Sequence, residues 1–201
     1  MEAALLKTDL GNVPVFASGK VRDVYDLGDR LLIIATDRIS AFDVVLPTGI
    51  PDKGAVLCGM SAFWFEQTKH LVPNHFLSLA GERSDLSVPD ELARRAMVVR
   101  RAERIDVEAI VRGYITGSAW SEYKVSGTVS GMPTKPGLVE GDRFEEPLFT
   151  PTTKAEEGHD ENMTMEEVEE LAGKEVAQRM AEIAIKVYEF AHDLALKKGV
   201  I

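Results

Sequence analysis

The hydrophobic pattern changes its period along this chain, and that change limits the folds open to it. The first hundred residues contain short apolar runs typical of strands around one helical pattern, whereas the last forty residues have a helical period throughout. Strand-rich sequence followed by helical sequence is typical of an α+β arrangement. We therefore predict an α+β fold of two unequal lobes, 1–103 and 104–201, with the boundary in the link Arg101 to Asp106.

Several elements can be placed from local signals. Val21–Asp26 and Leu31–Ala35 form a predicted hairpin with its bend at Gly28 and Asp29. Gly54–Lys69 has the helical period. Residues 125–151 are rich in glycine and proline, which indicates loop with at most short strands, in a position where ligand-facing structure is expected.

The last segment is predicted to be helical from its capping signals. Thr164 to Glu167 has the pattern of a capping box, and the helical pattern continues through Gly173. Lys197, Lys198 and Gly199 are expected to terminate the helix, with Val200–Ile201 as the first step of a strand or as a tail tucked under the helix. The apolar face of this helix is predicted to consist of Val176, Met180, Ile183, Val187, Phe190 and Leu194.

Composition excludes several classes of protein. The chain has 201 residues, 45% of them hydrophobic and 28% charged, which argues against disorder. A formal net charge of −10 would repel the phosphate backbone of nucleic acids, so nucleic-acid binding is not expected. Cys58 is the single cysteine and is predicted to be a core residue. A single cysteine excludes an internal disulfide, which fits a reducing compartment. No export signal or membrane segment is indicated, and we expect a cytoplasmic protein.

The segment Glu108 to Trp120, EAIVRGYITGSAW, indicates an anion-binding site. Ala109, Ile110 and Val111 are predicted to form a buried strand, where a charged Arg112 needs a partner. Gly117–Ser118 is predicted to open a helix whose free N–H groups would suit a phosphate or a carboxylate. The alternative, which the pattern leaves open, is an ion pair between Arg112 and Glu108 or another acid.

A second candidate lies in ASGKVRDVYDLGDRLLIIATDRISAFD, residues Ala17 to Asp43. Gly19 would let the backbone approach a polyphosphate, and Lys20 and Arg22 would hold its oxygens from one face of the strand. A plain surface turn is the alternative, because this is not a Walker-type GxxxxGK[ST] loop. Asp37 to Asp43 follows a buried strand end, where polar groups line a site or form a solvated loop.

A third candidate, PLFTPTTKAEEGHDENMT, extends from Pro147 to Thr164. Lys154 could neutralise developing phosphoryl charge, and His159 with Asp160 could orient an amine or a carboxylate, although a solvated loop explains the same charge density. The spacing is not that of a zinc or calcium site. Any metal is expected to be magnesium that arrives with a nucleotide.

Four blocks in this order, SGKVRDVY, TDRISAFD, EAIVRGYITGS and FTPTTKAEEGHDEN, closely resemble the phosphoribosylaminoimidazole-succinocarboxamide synthase (SAICAR synthetase) family. The resemblance extends over Ser18 to Ile201. It implies an ATP-dependent ligase of purine biosynthesis that uses magnesium and joins carboxyaminoimidazole ribonucleotide (CAIR) to L-aspartate. It also implies two lobes related to protein kinases and ATP-grasp enzymes, with ATP bound in the first and substrate in the second.

The resemblance implies a role for each candidate residue. The nucleotide would contact Gly19, Lys20, Arg22, Arg100, Arg101 and Glu103. The ribonucleotide would contact Arg112 and Ser118, with Asp37 and Ser40 as further substrate-binding residues. The catalytic residues would be Lys154, His159 and Asp160, and no protein metal ligand is assigned.

The sequence departs from the family pattern near its end. Family members continue after the long helix into D-x-K-x-E-F-G and L-T-P-D-S-S-R type motifs, neither of which occurs here. We therefore expect a fragment with an incomplete second lobe, and a nucleotide-binding remnant or assembly subunit without turnover is the rival function. Exposed sheet edges leave self-association open. A kinase-like phosphotransferase is disfavoured because H-R-D-x-x-x-x-N and D-F-G are absent.

Overall fold

The computed structural model describes residues 3–42, 44–154 and 160–200. The chain divides into two compact units, Met1–Glu103 and Arg104–Ile201. Each unit contains both strands and helices, and the α+β class predicted from the sequence is confirmed. Within the described residues, no helix is both long enough and apolar enough to span a membrane.

The first unit is built on a five-stranded antiparallel sheet in the order β1-β2-β3-β7-β6. The predicted hairpin forms its centre, with Gly28 at a positive φ of 88° in the bend. The strands and helices of this unit are β1 (Val15–Ser18), β2 (Arg22–Asp26), β3 (Arg30–Ala35), β4 (Ser40–Ala41), β5 (Val44–Val45), α1 (Lys53–Thr68), β6 (Phe76–Leu79), α2 (Asp90–Ala93) and β7 (Ala96–Arg100), with a 3-10 turn at Ala80–Glu82.

The alternation of side chains along β3 and β7 buries both faces of this sheet. Leu32, Ile34 and Val98 pack into one cluster, while Ala35, Met97 and Val99 pack on the other face with Cys58 of α1. Cys58 is only 2% exposed, so the prediction that it is a core residue is confirmed. Burial raises the pKa of its thiol to about 11, which makes it a poor nucleophile at neutral pH.

Helix α1 lies unusually close to the sheet because of a glycine. A Cβ on Gly54 would lie 2.8 Å from the carbonyl carbon of Ala35, closer than real side chains approach backbone. The backbone of Gly54 is also fixed by a hydrogen bond, in which its N–H donates to Asp37 Oδ1 at 2.8 Å. The start of α1 is therefore fastened directly to the end of β3.

The second unit has short antiparallel pairs and two helices at its carboxyl end. Strand β9 pairs with β12, and β8 pairs with β13. Ile115 and Phe144 form one apolar cluster, and Val168 with Ala177 forms another. The elements are β8 (Val107–Glu108), β9 (Val111–Tyr114), α3 (Gly117–Ser126), β10 (Thr128–Val129), β11 (Met132–Pro133), β12 (Arg143–Phe149), β13 (Thr152–Thr153), α4 (Met165–Ala172) and α5 (Lys174–Leu196).

Two predictions for this unit need correction. The predicted buried strand Ala109–Val111 is interrupted: β8 ends at Glu108, β9 begins at Val111, and Ala109 is exposed. Residues 125–151 contain the seven-residue strand β12, longer than predicted, because pairing with β9 stabilises a segment whose own pattern is weak.

The helical segment after Thr164 is also divided. Thr164 and Glu167 form the predicted capping box, but Gly173 has a φ of 84° and separates α4 from α5. Of the predicted apolar face, Val176 is 43% exposed beside the fully buried Ala177. The rest of that face is partly buried, namely Met180, Ile183, Val187, Phe190 and Leu194. Beyond α5, Gly199 and Val200 donate to Leu196 and Ala195 in a Schellman arrangement, so Val200 lies in the helix cap and not in the predicted strand.

Candidate functional site

In the first unit, the turn Ser18–Val21 joins β1 to β2 and contains the predicted glycine-lysine phosphate grip. Gly19 donates its N–H to Arg22 O at 2.8 Å, and Lys20 and Arg22 are exposed. The prediction that Lys20 and Arg22 share one face of the strand needs correction, because β2 begins at Arg22 and Lys20 lies in the turn before it. A Cβ on Gly19 would meet Arg22 O at 3.5 Å, an ordinary contact, so the turn does not require glycine on steric grounds.

The turn is held from within by Arg38, which the sequence did not single out as a binding or catalytic residue. Its guanidinium donates to the carbonyl oxygens of Gly19 (2.8 Å) and Lys20 (3.2 Å) and to both carboxylate oxygens of Asp23. Burial raises the pKa of Asp23, but hydrogen bonds from Arg38, Ser18 and Thr8 outweigh it and hold that pKa below its usual value. The signal available in the sequence was Asp23 at a core-facing position of β2, where a carboxylate needs a cation.

Arg22 also lines a small cavity between the sheet and α1. This cavity has a volume of about 140 Å³, and its wall includes Ile33, Cys58, His75 and Met97. Burial lowers the pKa of His75, and the nearby Arg22 charge lowers it further. His75 therefore gains a proton less readily than an ordinary histidine.

Asp37, a predicted substrate-binding residue, is fully buried. Its carboxylate accepts hydrogen bonds from Leu5 N (2.8 Å), Gly54 N (2.8 Å) and Arg95 Nη1 (2.6 Å). These contacts enclose it completely, so its position supports a structural role in place of the predicted one. Ser40 is half-buried in β4, opposite Val45.

The three residues predicted around the nucleotide slot, Arg100, Arg101 and Glu103, differ in their contacts. Arg101 holds the hairpin, because Nη1 donates to Asp26 Oδ1 and Gly28 O, both at 3.0 Å, and its guanidinium lies 4.9 Å from the Phe16 ring centroid. Arg100 is exposed at the end of β7, where its N–H donates to His75 O at 2.7 Å. Glu103 is also exposed.

In the second unit, Arg112 and Ser118 come together as predicted. Arg112 Nη2 lies 3.3 Å from Ser118 Oγ, although six residues and the start of α3 separate them. Arg112 Nε is buried and has no hydrogen-bond partner among the described residues. The alternative was an ion pair with Glu108 or another acid. Glu108 lies 3.4 Å from Lys154 Nζ, and the Arg112 charge helps to lower the pKa of Glu122. No ion pair of Arg112 with an acid is found within 4.0 Å among the described residues.

The start of α3 adds donors to this pair. Gly117 adopts a φ of 56°, a conformation suited to glycine, and Thr116 makes no side-chain capping bond. The first N–H groups of a helix have no intrahelical partners, and the helix dipole favours negative charge there. Arg112, Ser118 and this helix start can together bind an anionic group.

Strand β9 is fixed by contacts with α5 that sequence reasoning missed. The Tyr114 hydroxyl lies 3.0 Å from His192 Nε2, and Tyr188 stacks on His192 at 5.8 Å between centroids. Tyr188 lies directly on Gly113, where a Cβ would come within 2.6 Å of its Cζ atom. Gly113 therefore lets α5 approach the strand that carries Arg112.

The predicted catalytic residues are only partly described. Lys154 and Asp160 are exposed, and the Lys154–Glu108 pair is a surface ion pair. His159 lies outside the described residues. A cavity of about 500 Å³ lies within residues 125–151, the segment predicted to face ligands. Its wall includes Leu138, Phe144 and the ion pair of Lys135 with Glu145 at 2.9 Å. None of the predicted site residues that the structure describes lines this cavity.

Comparison with known proteins identifies the family. The sequence profile of SAICAR synthetase matches residues 15–201. The chain belongs to the SAICAR synthetase family. The phosphoribosylaminoimidazole-succinocarboxamide synthase of Geobacter metallireducens is 48% identical over 207 aligned positions, which cover 100% of this chain and 69% of that protein.

Two eukaryotic relatives extend this finding. The synthase of the same name from Schizosaccharomyces pombe is 48% identical, over 98% of this chain and 68% of that protein. The solved structure of the SAICAR synthase from Saccharomyces cerevisiae complexed with SAICAR superimposes with a TM-score of 0.86, at 42% identity, over 97% of this chain and 68% of that one. The fold described above is thus the family fold over nearly the whole chain.

Proposed function

We propose that this chain is an ATP-dependent carbon–nitrogen ligase that joins CAIR to L-aspartate, giving SAICAR, ADP and phosphate in purine biosynthesis. The observation that carries this proposal is the match of residues 15–201 to the family, with 48% identity to a synthase over the whole chain. Conserved chemistry is expected at that degree of identity because both units, and all four sequence blocks, lie inside the match.

The first unit is proposed to bind ATP through the turn Ser18–Val21. Lys20 and Arg22 are exposed cations on or beside this turn, and the turn backbone is held rigidly by Arg38. A fixed backbone with adjacent cations suits the oxygens of a polyphosphate. The roles of Arg100 and Glu103 toward the adenine stay predictions, and Arg101 is proposed to act indirectly by holding the hairpin.

The second unit is proposed to bind the anionic end of the ribonucleotide with Arg112, Ser118 and the start of α3. The buried Arg112 Nε without a partner among the described residues supports this, because a buried guanidinium N–H calls for an acceptor. Lys154, His159 and Asp160 are proposed to face the reacting groups, and Ser40 remains a proposed substrate contact.

The chemistry requires activation of a carboxylate, which is a poor acyl donor. In the first step a CAIR carboxylate oxygen would attack the γ-phosphorus of ATP, and the bond to the ADP oxygen would break to leave an acyl phosphate. In the second step the aspartate amine would attack the acyl carbon, lose a proton and expel inorganic phosphate. Exposed cations such as Lys154 would stabilise the phosphoryl charge, and positioning would supply much of the rate.

Magnesium is implied by the family resemblance, and it is proposed to arrive with the nucleotide, held largely by phosphate oxygens and water. Among residues 3–42, 44–154 and 160–200, no group of three or more His, Cys, Asp and Glu side chains could hold a metal ion. No step above is therefore assigned to a metal held by this chain. Cytoplasmic location, self-association and a relation to kinase and ATP-grasp lobes are likewise proposals.

The proposal is tested by a turnover assay on the purified chain. Over many turnovers, ADP release should require CAIR and be accelerated by aspartate, and SAICAR should appear in equal amount when aspartate is present. ADP release with both substrates present but without any SAICAR would refute the ligase assignment, whereas nucleotide binding without turnover would favour the rival binding subunit.

The Arg112 role is tested by Arg112→Ala, with Arg179→Ala as a control of equal charge change. Arg179 is an exposed residue of α5 that pairs with Glu182. Loss of charge-assisted hydrogen bonds should raise the KM for CAIR by about 10- to 100-fold in Arg112→Ala only. Equal KM values in the two variants would contradict the assignment.

A further inference from the structure

The guanidinium of Arg38 uses all of its hydrogen-bond donors inside the first unit. Nε donates to Lys20 O (3.2 Å), Nη1 to Leu6 O (2.9 Å) and Asp23 Oδ2 (3.1 Å), and Nη2 to Gly19 O (2.8 Å) and Asp23 Oδ1 (2.7 Å). An arginine has five N–H donors in a fixed planar fork. The guanidinium of Arg38 therefore fixes the three carbonyl oxygens and the Asp23 carboxylate around the plane of its own fork.

Two of these acceptors are successive carbonyl groups of the proposed phosphate-binding turn. In a planar trans peptide the C=O and N–H bonds point in opposite directions. Because the carbonyls of Gly19 and Lys20 point at Arg38, the N–H groups of Lys20 and Val21 are turned away from it. Successive N–H groups directed to one side form a concavity that suits anions.

The partner of Arg38 fastens the same turn from its other end. Asp23 accepts hydrogen bonds from Ser18 Oγ (2.6 Å) and Thr8 Oγ1 (2.8 Å) in addition to those from Arg38. Ser18 immediately precedes Gly19. The side chains of Arg38 and Asp23 are largely buried, with 13% and 8% exposed, so this pair is well shielded from water.

No steric property of the turn explains its conformation. Gly19 has an ordinary environment, with Arg22 O 3.5 Å from the position of a Cβ, and its φ is not in the left-handed region. The turn is closed by its own hydrogen bond from Gly19 N–H to Arg22 O, and Arg38 adds two hydrogen bonds to its carbonyl groups. A lysine at position 38 would keep the positive charge but could not span both carbonyls and the carboxylate.

We propose that Arg38 is a positioning residue for the nucleotide phosphates, which it orders through the Gly19 and Lys20 carbonyls without touching them. This inference rests on the proposed ATP-binding function of the turn. It distinguishes Arg38 from Lys20 and Arg22, whose side chains are proposed to contact phosphate. The arrangement predicts that changes at Arg38 weaken binding of the phosphate part of a nucleotide and spare the nucleoside part.

The test measures the affinity of the full chain for ADP and for adenosine by calorimetry or by competition. Arg38→Lys keeps a charge beside Asp23, and the double variant Asp23→Asn/Arg38→Met removes both charges, so that neither charge is left unpaired. The control is Arg95→Lys, because Arg95 forms the other buried Arg–Asp pair of this unit and donates to Asp37 and Glu91 O. Thermal unfolding checks that every variant is folded.

We expect ADP affinity to fall about tenfold or more in both Arg38 variants, with adenosine affinity within about twofold of wild type, and both affinities unchanged in Arg95→Lys. Equal losses for ADP and adenosine would indicate a merely structural role and overturn the inference. So would folded Arg38 variants with wild-type ADP affinity. If the wild-type chain binds adenosine but gains nothing from the phosphates, the proposed phosphate-binding function of the turn fails first, and the role of Arg38 fails with it.

Discussion

The buried Asp37–Arg95 pair allows the structural role of Asp37 to be separated from the substrate role predicted for it. Asp37 is 0% exposed and Arg95 3%, and Arg95 Nη1 lies 2.6 Å from Asp37 Oδ1. Replacing Arg95 by Met keeps an apolar stem but leaves the carboxylate with only the N–H groups of Leu5 and Gly54.

The magnitude follows from the cost of an unpaired buried charge. Removing one partner of a buried ion pair costs about 3–5 kcal/mol of unfolding free energy. Because two backbone donors remain, we expect the lower end for Arg95→Met, about 3 kcal/mol, which is a large part of a typical total of about 5–15 kcal/mol. In Asp37→Asn/Arg95→Met both charges are gone, so the loss should be at least about 1 kcal/mol smaller than the sum of the single losses.

Acidification provides a second measure of the same pair. Burial raises the pKa of Asp37, but hydrogen bonds from Gly54, Leu5 and Arg95 outweigh it and bring that pKa below the ordinary 3.8. A carboxylate with a lowered folded-state pKa adds stability above its unfolded-state pKa, and this stability is lost as the pH falls through the folded value. Arg95→Met loses a source of the lowering, so its deficit relative to wild type should shrink as the pH falls below 3.8 through the folded-state pKa of Asp37.

The assay is urea unfolding followed by tryptophan fluorescence. The chain has two tryptophans, of which Trp64 lies in α1 of the first unit and Trp120 in α3 of the second. In a Trp120→Phe background, the fluorescence therefore reports the first unit alone. A loss below about 1 kcal/mol in Arg95→Met, strictly additive single and double variants, or a deficit that is constant with pH would each refute the reasoning. A variant Asp37→Asn that changes only substrate KM would restore the role predicted from the sequence.

Two further predictions concern the second unit. Gly113→Ala places a Cβ within 2.6 Å of Tyr188 Cζ and should lower the unfolding free energy by about 1–3 kcal/mol, measured by denaturant titration. Adding Tyr188→Phe should restore part of this loss, because it removes the hydroxyl. No restoration would show that the hydroxyl is not the obstacle. Glu122 accepts hydrogen bonds from Ser130 N and Gly131 N, both at 2.9 Å, and from Thr128 Oγ1 at 2.7 Å. Burial raises the pKa of Glu122, but these bonds lower it below its usual value. Glu122→Gln should therefore lower the unfolding free energy by about 1–3 kcal/mol at pH 7 and accelerate amide exchange at Ser130 and Gly131. Unchanged exchange at both amides would contradict this anchoring role.

Local sequence signals identified those features that depend on neighbouring residues. The β2–β3 hairpin, the α3 start at Gly117–Ser118 and the Thr164–Glu167 capping box follow from turn, cap and period rules that act over a few positions. The approach of Arg112 to Ser118 could also be predicted, because a strand that runs into a helix start brings these two side chains together.

Other features could not be read from local sequence, because their partners are distant along the chain. Asp37 resembles a site residue by position, and only Arg95, 58 residues away, shows that its carboxylate is enclosed. The seven-residue strand β12 has a weak pattern of its own and forms against β9. The helix break at Gly173 and the burial of Ala177 beside the exposed Val176 depend on backbone conformation and on what packs against α5, which a helical period does not show.

The sequence alone determined the family, the α+β class and the chemical character of the candidate residues, because these depend on residue type and order. The tertiary structure alone decided which charged residues are available to a ligand. Buried charges must be paired, and packing selects the partner: Arg38 takes Asp23, Arg95 takes Asp37, and Arg112 keeps a buried N–H without an acceptor among the described residues. That difference separates residues that hold the fold from Arg112, which we propose binds an anion.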